Sequence, residues 1–371
     1  MTVEFIGLVH TAPGSEGVPG TGPVIQPEYL TALAQAHEAA GFDRVLVAHS
    51  SASPDAFTVA GQVLNATERL GVLLAHRPGF LAPTIAARNF ATIDAFHPGR
   101  IALHVISGGD DADQARDGDL SDKPTRYRRT DEFLDIVRRE WTSELPFDYT
   151  GEFYQVRGGW SSVRPPAGRI PIFFGGASGD AIRVGGKHAD VYAFWGEPIA
   201  GIIERIREVT ASAAAAPDRT GAGIAPRFSV SLRPITAETE QAAWARAQDI
   251  LEVTKDRLSE VKKIFKFDSS GAEGSKRLLD VAAEGDVHDK RLWTAVAKAT
   301  GAPGNTTALV GTPEQVADSL IDYVNVGVGT LLIRGFDPLP DATAYGELIQ
   351  LVRERTADRP LATAAAGKDQ A

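Results

Sequence analysis

Four of the eight histidines fall at or just beyond the ends of short β-branched runs: His10, His49, His76 and His104. An imidazole titrates near neutral pH, so each could donate or relay a proton beside a bound molecule. Arg77, Arg233 and Arg334 hold comparable positions, and a guanidinium offers a rigid donor fork to a carboxylate, sulfonate or phosphate. Ser107, Trp195 and Phe336 end further runs and add a hydroxyl and two rings. The stretch GGASGDA (175–181) reads as an anion site. Gly175 and Gly176 permit close backbone approach, and Ala177, Ser178 and Gly179 present N–H groups where a helix begins. Arg126-Tyr127-Arg128-Arg129 opens another helix, where basic residues oppose the dipole unless an anion compensates them or they face solvent.

Other chemistries compete. A metal centre commonly shows HxH or HExxH spacing, and neither occurs, although histidines from different strands could still converge. A serine hydrolase wants G-x-S-x-G on a strained turn. GGASGDA is the nearest approach, and Ser178 reads better as the hydroxyl of a helix start. With no cysteine, disulfides, thiolate nucleophiles and cysteine metal sites are excluded.

The elements that must carry these residues alternate along the chain. Strand candidates cover 3–9, 44–48, 69–75, 101–106, 170–174, 190–194, 227–233 and 330–333. Helical periodicity covers 29–40, 57–67, 83–96, 126–141, 180–188, 198–214, 237–265, 313–326 and 345–356. Such alternation implies parallel strands, either in an open doubly wound sheet or in a closed barrel. Eight runs favour the (β/α)8 TIM barrel, and no GxGxxG opens a helix after the first run. In a barrel, residues at the C-terminal ends of strands face the ligand. Residues 146–156 read as a small hairpin. Residues 266–307 read as irregular and Gly-rich, with one helical piece at 290–299. The expected organisation is one domain, 1–360, with an insertion at 237–307 between strands seven and eight and a flexible tail at 361–371.

The net charge of −10 disfavours nucleic acid and anionic membranes as partners, though a local basic pocket for a small anion remains compatible. No apolar run approaches the roughly 20 residues of a membrane helix, and no signal-peptide pattern opens the chain. The expectation is a cytoplasmic protein.

Several stretches together carry a specific resemblance: HRPGFLAPTIAARNFATID (76–94), HPGRIALHVISGG (97–109), RYRRTDEFLDIVRREW (126–141), FDYTGEFYQVRGG (147–159), PIFFGGAS (171–178), ADVYAFWGEP (189–198), TTALVGTPEQVADSL (306–320) and RGFDPL (334–339). The chain resembles the bacterial-luciferase-like flavin monooxygenases, and within them the alkanesulfonate monooxygenase group. The resemblance implies a barrel with an enlarged excursion between strands seven and eight. It also implies reduced FMN (FMNH2) as co-substrate, O2 as oxidant, a separate NAD(P)H-dependent flavin reductase and a homodimer or homotetramer.

Carried over by motif, the resemblance places the FMN phosphate at Arg126, Tyr127, Ala177 and Ser178. It places the flavin ring near Ala48, His49, His104 and Ser107, and it matches Trp195 to the tryptophan of a T-W-G-E-P motif. The substrate side departs from the pattern. An R-L-H strand-seven motif is here Ser231-Leu232-Arg233, a mobile-loop arginine has only Lys298 as substitute, and a tyrosine is replaced by Phe336. Arg233, Lys298, Arg334 and Phe336 are the expected substrate residues. His10, His76, His104, Trp195 and Arg233 are the catalytic candidates. The expected reaction is oxidation of a small anionic organosulfur compound, desulfonating an alkanesulfonate to aldehyde and sulfite. A monooxygenase of a sulfone, amine or heterocycle, a deazaflavin hydride-transfer enzyme and a noncatalytic flavin-binding protein are the alternatives.

Overall fold

The computed structural model describes residues 2–15, 20–107, 110–264, 272–302, 304 and 306–357, excepting the side chains of 260–264. Eight parallel strands form the barrel: β1 (Glu4–Leu8), β2 (Arg44–Val47), β3 (Gly71–His76), β4 (Ile101–Val105), β5 (Ile172–Gly175), β6 (Val191–Trp195), β7 (Arg227–Thr236) and β8 (Val328–Ile333). Their order is β7-β8-β1-β2-β3-β4-β5-β6, and β6 pairs with β7 to close the ring. Closure leaves no unpaired barrel edge. The hairpin expected near 146–156 is present as Phe147–Thr150 against Gln155–Gly159.

Chemistry at the chain level explains the helix starts. Pro83 opens the helix Pro83–Phe96, where its missing N–H costs nothing. The helix Pro313–Asn325 begins with a capping box, Thr312 bonding the Gln315 backbone and the Gln315 side chain bonding back. Asp122 caps the helix Lys123–Thr142, so that helix starts three residues earlier than its periodicity predicts.

The chain divides into two compact units, Met1–Val45 with Ala193–Glu208 and Arg227–Ala371, and Leu46–Tyr192 with Val209–Pro226. In the second unit the core joins Leu74, Leu103, Phe133, Val137, Phe174 and Tyr192, all fully or almost fully buried. In the first, Ile235, Ala243, Ala247, Trp293, Val310 and Phe336 form one apolar cluster that includes the excursion after β7.

That excursion corrects the expectation of irregular chain over 266–307. Among its described residues are a helix Glu273–Glu284, a short strand pair Val287–His288 and Leu292–Trp293, a helix Ala295–Thr300 and a strand starting at Ala308 that pairs with β7. Leu278 and Ala282, one helical turn apart and fully buried, supply the apolar stripe that the flanking glycines obscure. Residues 265–271 and the tail expected at 361–371 lie outside the described residues. No described helix is long and apolar enough to cross a membrane.

Candidate functional site

The residues expected on the flavin side all belong to the unit built on Leu46–Tyr192. Register aligns Ala75 with His104 and His76 with Val105 across β3 and β4, and β5 continues with Phe173 and Phe174. Successive side chains of a strand alternate faces, so His76 and His104 point to opposite sides of the sheet. His76 meets the helix layer. It stacks on Phe133 at 5.5 Å and lies edge-on to Phe57 at 5.8 Å and Phe90 at 6.0 Å. It is 4% exposed, its Nε2 has no hydrogen-bond partner, and burial pulls its pKa to about 3. A neutral ring caged by phenylalanines does not fit the proton relay expected of this position. His104 takes the other face, where burial pulls its pKa to about 4 and Nδ1 has no hydrogen-bond partner. A buried polar atom without a partner is uncommon and costly, so His104 is suited to meet a polar ligand atom. At the end of β2, Ala48 is exposed and His49 half-buried; burial, with the nearby Arg77 charge, holds His49 below its ordinary pKa.

The anion site takes shape after β5. Ser178 caps the helix Gly179–His188, its hydroxyl accepting from the Ala181 N–H at 3.3 Å. Gly176 has a φ of 144°, and a Cβ there would lie 2.5 Å from Ala181 Cβ and 3.2 Å from the Tyr127 hydroxyl. Only glycine brings the strand end this close to the tyrosine. The Tyr127 phenol, partly buried, is raised above its ordinary pKa by burial, while a hydrogen bond with Ser178 and the Arg126 charge act in the opposite direction. Tyr127, Ala177 and Ser178 therefore share one helix start.

Arg126 is adjacent but engaged. Its Nε donates to the Ser107 carbonyl at 3.1 Å, Nη1 donates to the Ser121 carbonyl, and Nη2 meets Asp111 Oδ1 at 2.6 Å. Ser107 itself bonds Thr130 through hydroxyls at 3.1 Å. Asp111 opens a short helix, Asp111–Arg116, inside the stretch DDADQARDGD (110–119). Arg77 pairs with Asp113 and Asp117, and Arg129 with Asp119. Sequence reasoning left an anion or solvent over the basic helix start and missed that the chain supplies aspartates; the signal was the acidic run itself. Asp131, Asp135 and His188 also converge, but Lys187 Nζ lies 2.8 Å from Asp131 and 3.0 Å from Asp135, so an ammonium already sits among these ligand types.

The residues expected on the substrate side belong to the other unit. Arg233, 1% exposed, lies with its guanidinium carbon 3.4 Å from the centroid of Phe336 and donates to the Gly335 carbonyl at 3.0 Å. Phe336 thus offers a π face to a buried cation in place of a phenol oxygen. Asp341, which sequence reasoning missed, fixes this turn: its Oδ2 accepts from the N–H groups of Phe336 and Asp337 at 2.8 and 2.9 Å, and its Oδ1 from Arg246 at 2.6 Å. Lys298 is exposed and 3.8 Å from Asp286, which places it in solvent rather than with Arg233. His10 and Arg334 line one hollow with His37 and Tyr345. His37 was also missed. Burial pulls its pKa to about 4, and its ring lies against Gly7, where any Cβ would collide with it. A glycine inside a strand was the available sign of such close approach. Trp195 packs with Leu278, Ala297 and Ala302, and beside it Glu197 accepts from Arg277 Nη2 at 2.6 Å.

The luciferase-like monooxygenase family model matches residues 3–330. Among solved structures, a riboflavin lyase bound to modified FMN and riboflavin has a TM-score of 0.77 at 20% identity, covering 98% of this chain and 93% of its own. An EDTA monooxygenase from Chelativorans sp. BNC1 has a TM-score of 0.75 at 18% identity, covering 98% and 96%. DmoA from Hyphomicrobium sulfonivorans has a TM-score of 0.72 at 20% identity, covering 96% and 89%. At these identities the structures establish the fold.

Proposed function

The chain belongs to the luciferase-like monooxygenase family, a membership that supports flavin-dependent, O2-consuming oxidation, and from that premise we propose a two-component enzyme. It takes reduced FMN from a separate NAD(P)H-dependent flavin reductase and oxidises a small organosulfur compound, releasing sulfite and an aldehyde from an alkanesulfonate. The observation that carries the reading is the meeting of Tyr127, Gly176 and Ser178 at one helix start.

These residues suit a phosphate. Helix-start N–H groups, the Ser178 hydroxyl and the Tyr127 phenol are donors clustered where the dipole favours negative charge. His104 would meet the polar edge of the flavin ring; with its pKa near 4 it is neutral at pH 7 and offers a hydrogen bond rather than a charge. Ala48 and His49 would border the ring. Reduced FMN, when bound, would supply the two electrons that activate O2, and O2 would supply the transferred oxygen atom. Arg334 is the cation that would meet the anionic group of the substrate.

Oxidation of an uncharged sulfur compound such as a sulfone is favoured by a different observation. Arg233 already faces Phe336 and the Gly335 carbonyl, and Lys298 faces solvent. Fewer cations are therefore open to a sulfonate than the sequence promises. Anaerobic titration with reduced FMN, followed by O2 and a panel of alkanesulfonates and sulfones, tests both. Sulfite release from a sulfonate supports the first reading. Turnover of sulfones alone supports the second, and no turnover of any sulfur compound defeats both.

A further inference from the structure

We propose that Asp111 is an exchangeable internal counterion of Arg126, and that the phosphate of a bound flavin mononucleotide takes its place. The inference rests on the FMN reading above and names a residue that sets how strongly that phosphate is selected.

The pair is asymmetric. Arg126 is 2% exposed, whereas the Asp111 side chain is 71% exposed, and the two meet at 2.6 Å. A buried guanidinium needs an anion because leaving it uncompensated is costly. An exposed carboxylate gives up little when it leaves, because water already solvates most of it. The contacts of Arg126 with the Ser107 and Ser121 carbonyls involve neutral groups and do not depend on Asp111. Exchange at Asp111 therefore leaves the cation positioned while its counterion changes.

Location makes phosphate the natural replacement. Arg126 directly precedes Tyr127, whose phenol bonds Ser178 at the start of Gly179–His188. A phosphate held there carries more charge and more acceptor oxygens than one carboxylate. The stretch that bears Asp111 has a second anchor in Asp113, which pairs with Arg77 and accepts from the Ser51 hydroxyl at 2.6 Å. That anchor keeps the stretch tethered when Asp111 lets go, while the start of the short helix is loosened. A flavin without phosphate has nothing to exchange for the carboxylate.

The test compares FMN with riboflavin on wild type and Asp111→Asn, following flavin fluorescence. Removing the competing charge should lower the Kd for FMN about three- to tenfold, the order expected for one partly solvated charge-assisted contact, and leave riboflavin unchanged. Hydrogen exchange gives a second readout: FMN should speed amide exchange in the helix Asp111–Arg116 of the wild type, and riboflavin should not. An FMN Kd that is unchanged or raised in Asp111→Asn, or protection of that helix by FMN, overturns the proposal. If Ser178→Ala selectively weakens FMN while Asp111→Asn has no effect, the phosphate site stands and the counterion role falls. If wild type binds FMN no tighter than riboflavin, the phosphate site fails and takes this inference with it.

Discussion

His76 and His104 lie on adjacent strands, one step apart in register, and face opposite sides of the sheet. The difference decides what each can do. With its pKa near 3, the folded state holds His76 neutral, whereas the unfolded ring titrates near 6.5. Its stabilising contribution is therefore fully present above pH 6.5 and is lost as pH falls toward 3. Between pH 7 and pH 5 the loss is about 2 kcal/mol. His76→Phe should remove that part of the acid destabilisation, because a fourth phenyl ring suits Phe57, Phe90 and Phe133. Urea unfolding at both pH values measures it. An equal drop in wild type and variant would show that His76 does not titrate in this way.

Ser178 and Tyr127 make a prediction about the phosphate. Ser178→Ala removes one donor to a charged group and should weaken reduced-FMN binding by about 1–3 kcal/mol. Tyr127→Phe should act in the same direction, and riboflavin binding should respond to neither. An FMN dissociation constant unmoved by both substitutions would remove these residues from the phosphate site.

Legibility of the sequence followed the range of the interactions. Alternating runs gave the eight barrel strands, because period-two and period-3.6 patterns are local. Ser178 was readable as a helix start for the same reason. The facing of His76 was not, since it depends on register with β4 and on phenylalanines from three separate helices. The pairing of Arg126 with Asp111 was half legible: the basic helix start pointed to an anion or to solvent, and a short helix of the same chain provides the anion. The link from Asp341 through Phe336 to Arg233 joins residues more than 100 positions apart and left no local sign.

Asp341 should matter more than its distance from any reacting group suggests. It is 3% exposed and compensates Arg246 while holding two backbone N–H groups. Asp341→Ala leaves a guanidinium and two donors unpaired and should cost about 3–5 kcal/mol. Asp341→Asn keeps an acceptor for the turn and should cost less. A double-mutant cycle of Arg233→Met and Phe336→Leu should return a coupling of about 1–2 kcal/mol from the cation–π contact. Additive effects would mean that the 3.4 Å approach contributes nothing specific.

Gly274 and Trp195 test how closely the excursion after β7 packs on the end of β6. A Cβ at Gly274 would stand 2.7 Å from Trp195 Cζ3, so Gly274→Ala must displace either the indole or the helix Glu273–Glu284. Either movement disturbs the packing of Trp195 on Leu278 and Ala302 and strains the Arg277–Glu197 pair. The expected result is altered tryptophan fluorescence and a lower urea midpoint of unfolding. Trp195→Phe introduced into Gly274→Ala shrinks the ring that collides and should restore part of the stability. Trp195→Phe alone should loosen the contact without the clash. A Gly274→Ala protein that keeps both its emission spectrum and its urea midpoint would show that this packing has room for a methyl group.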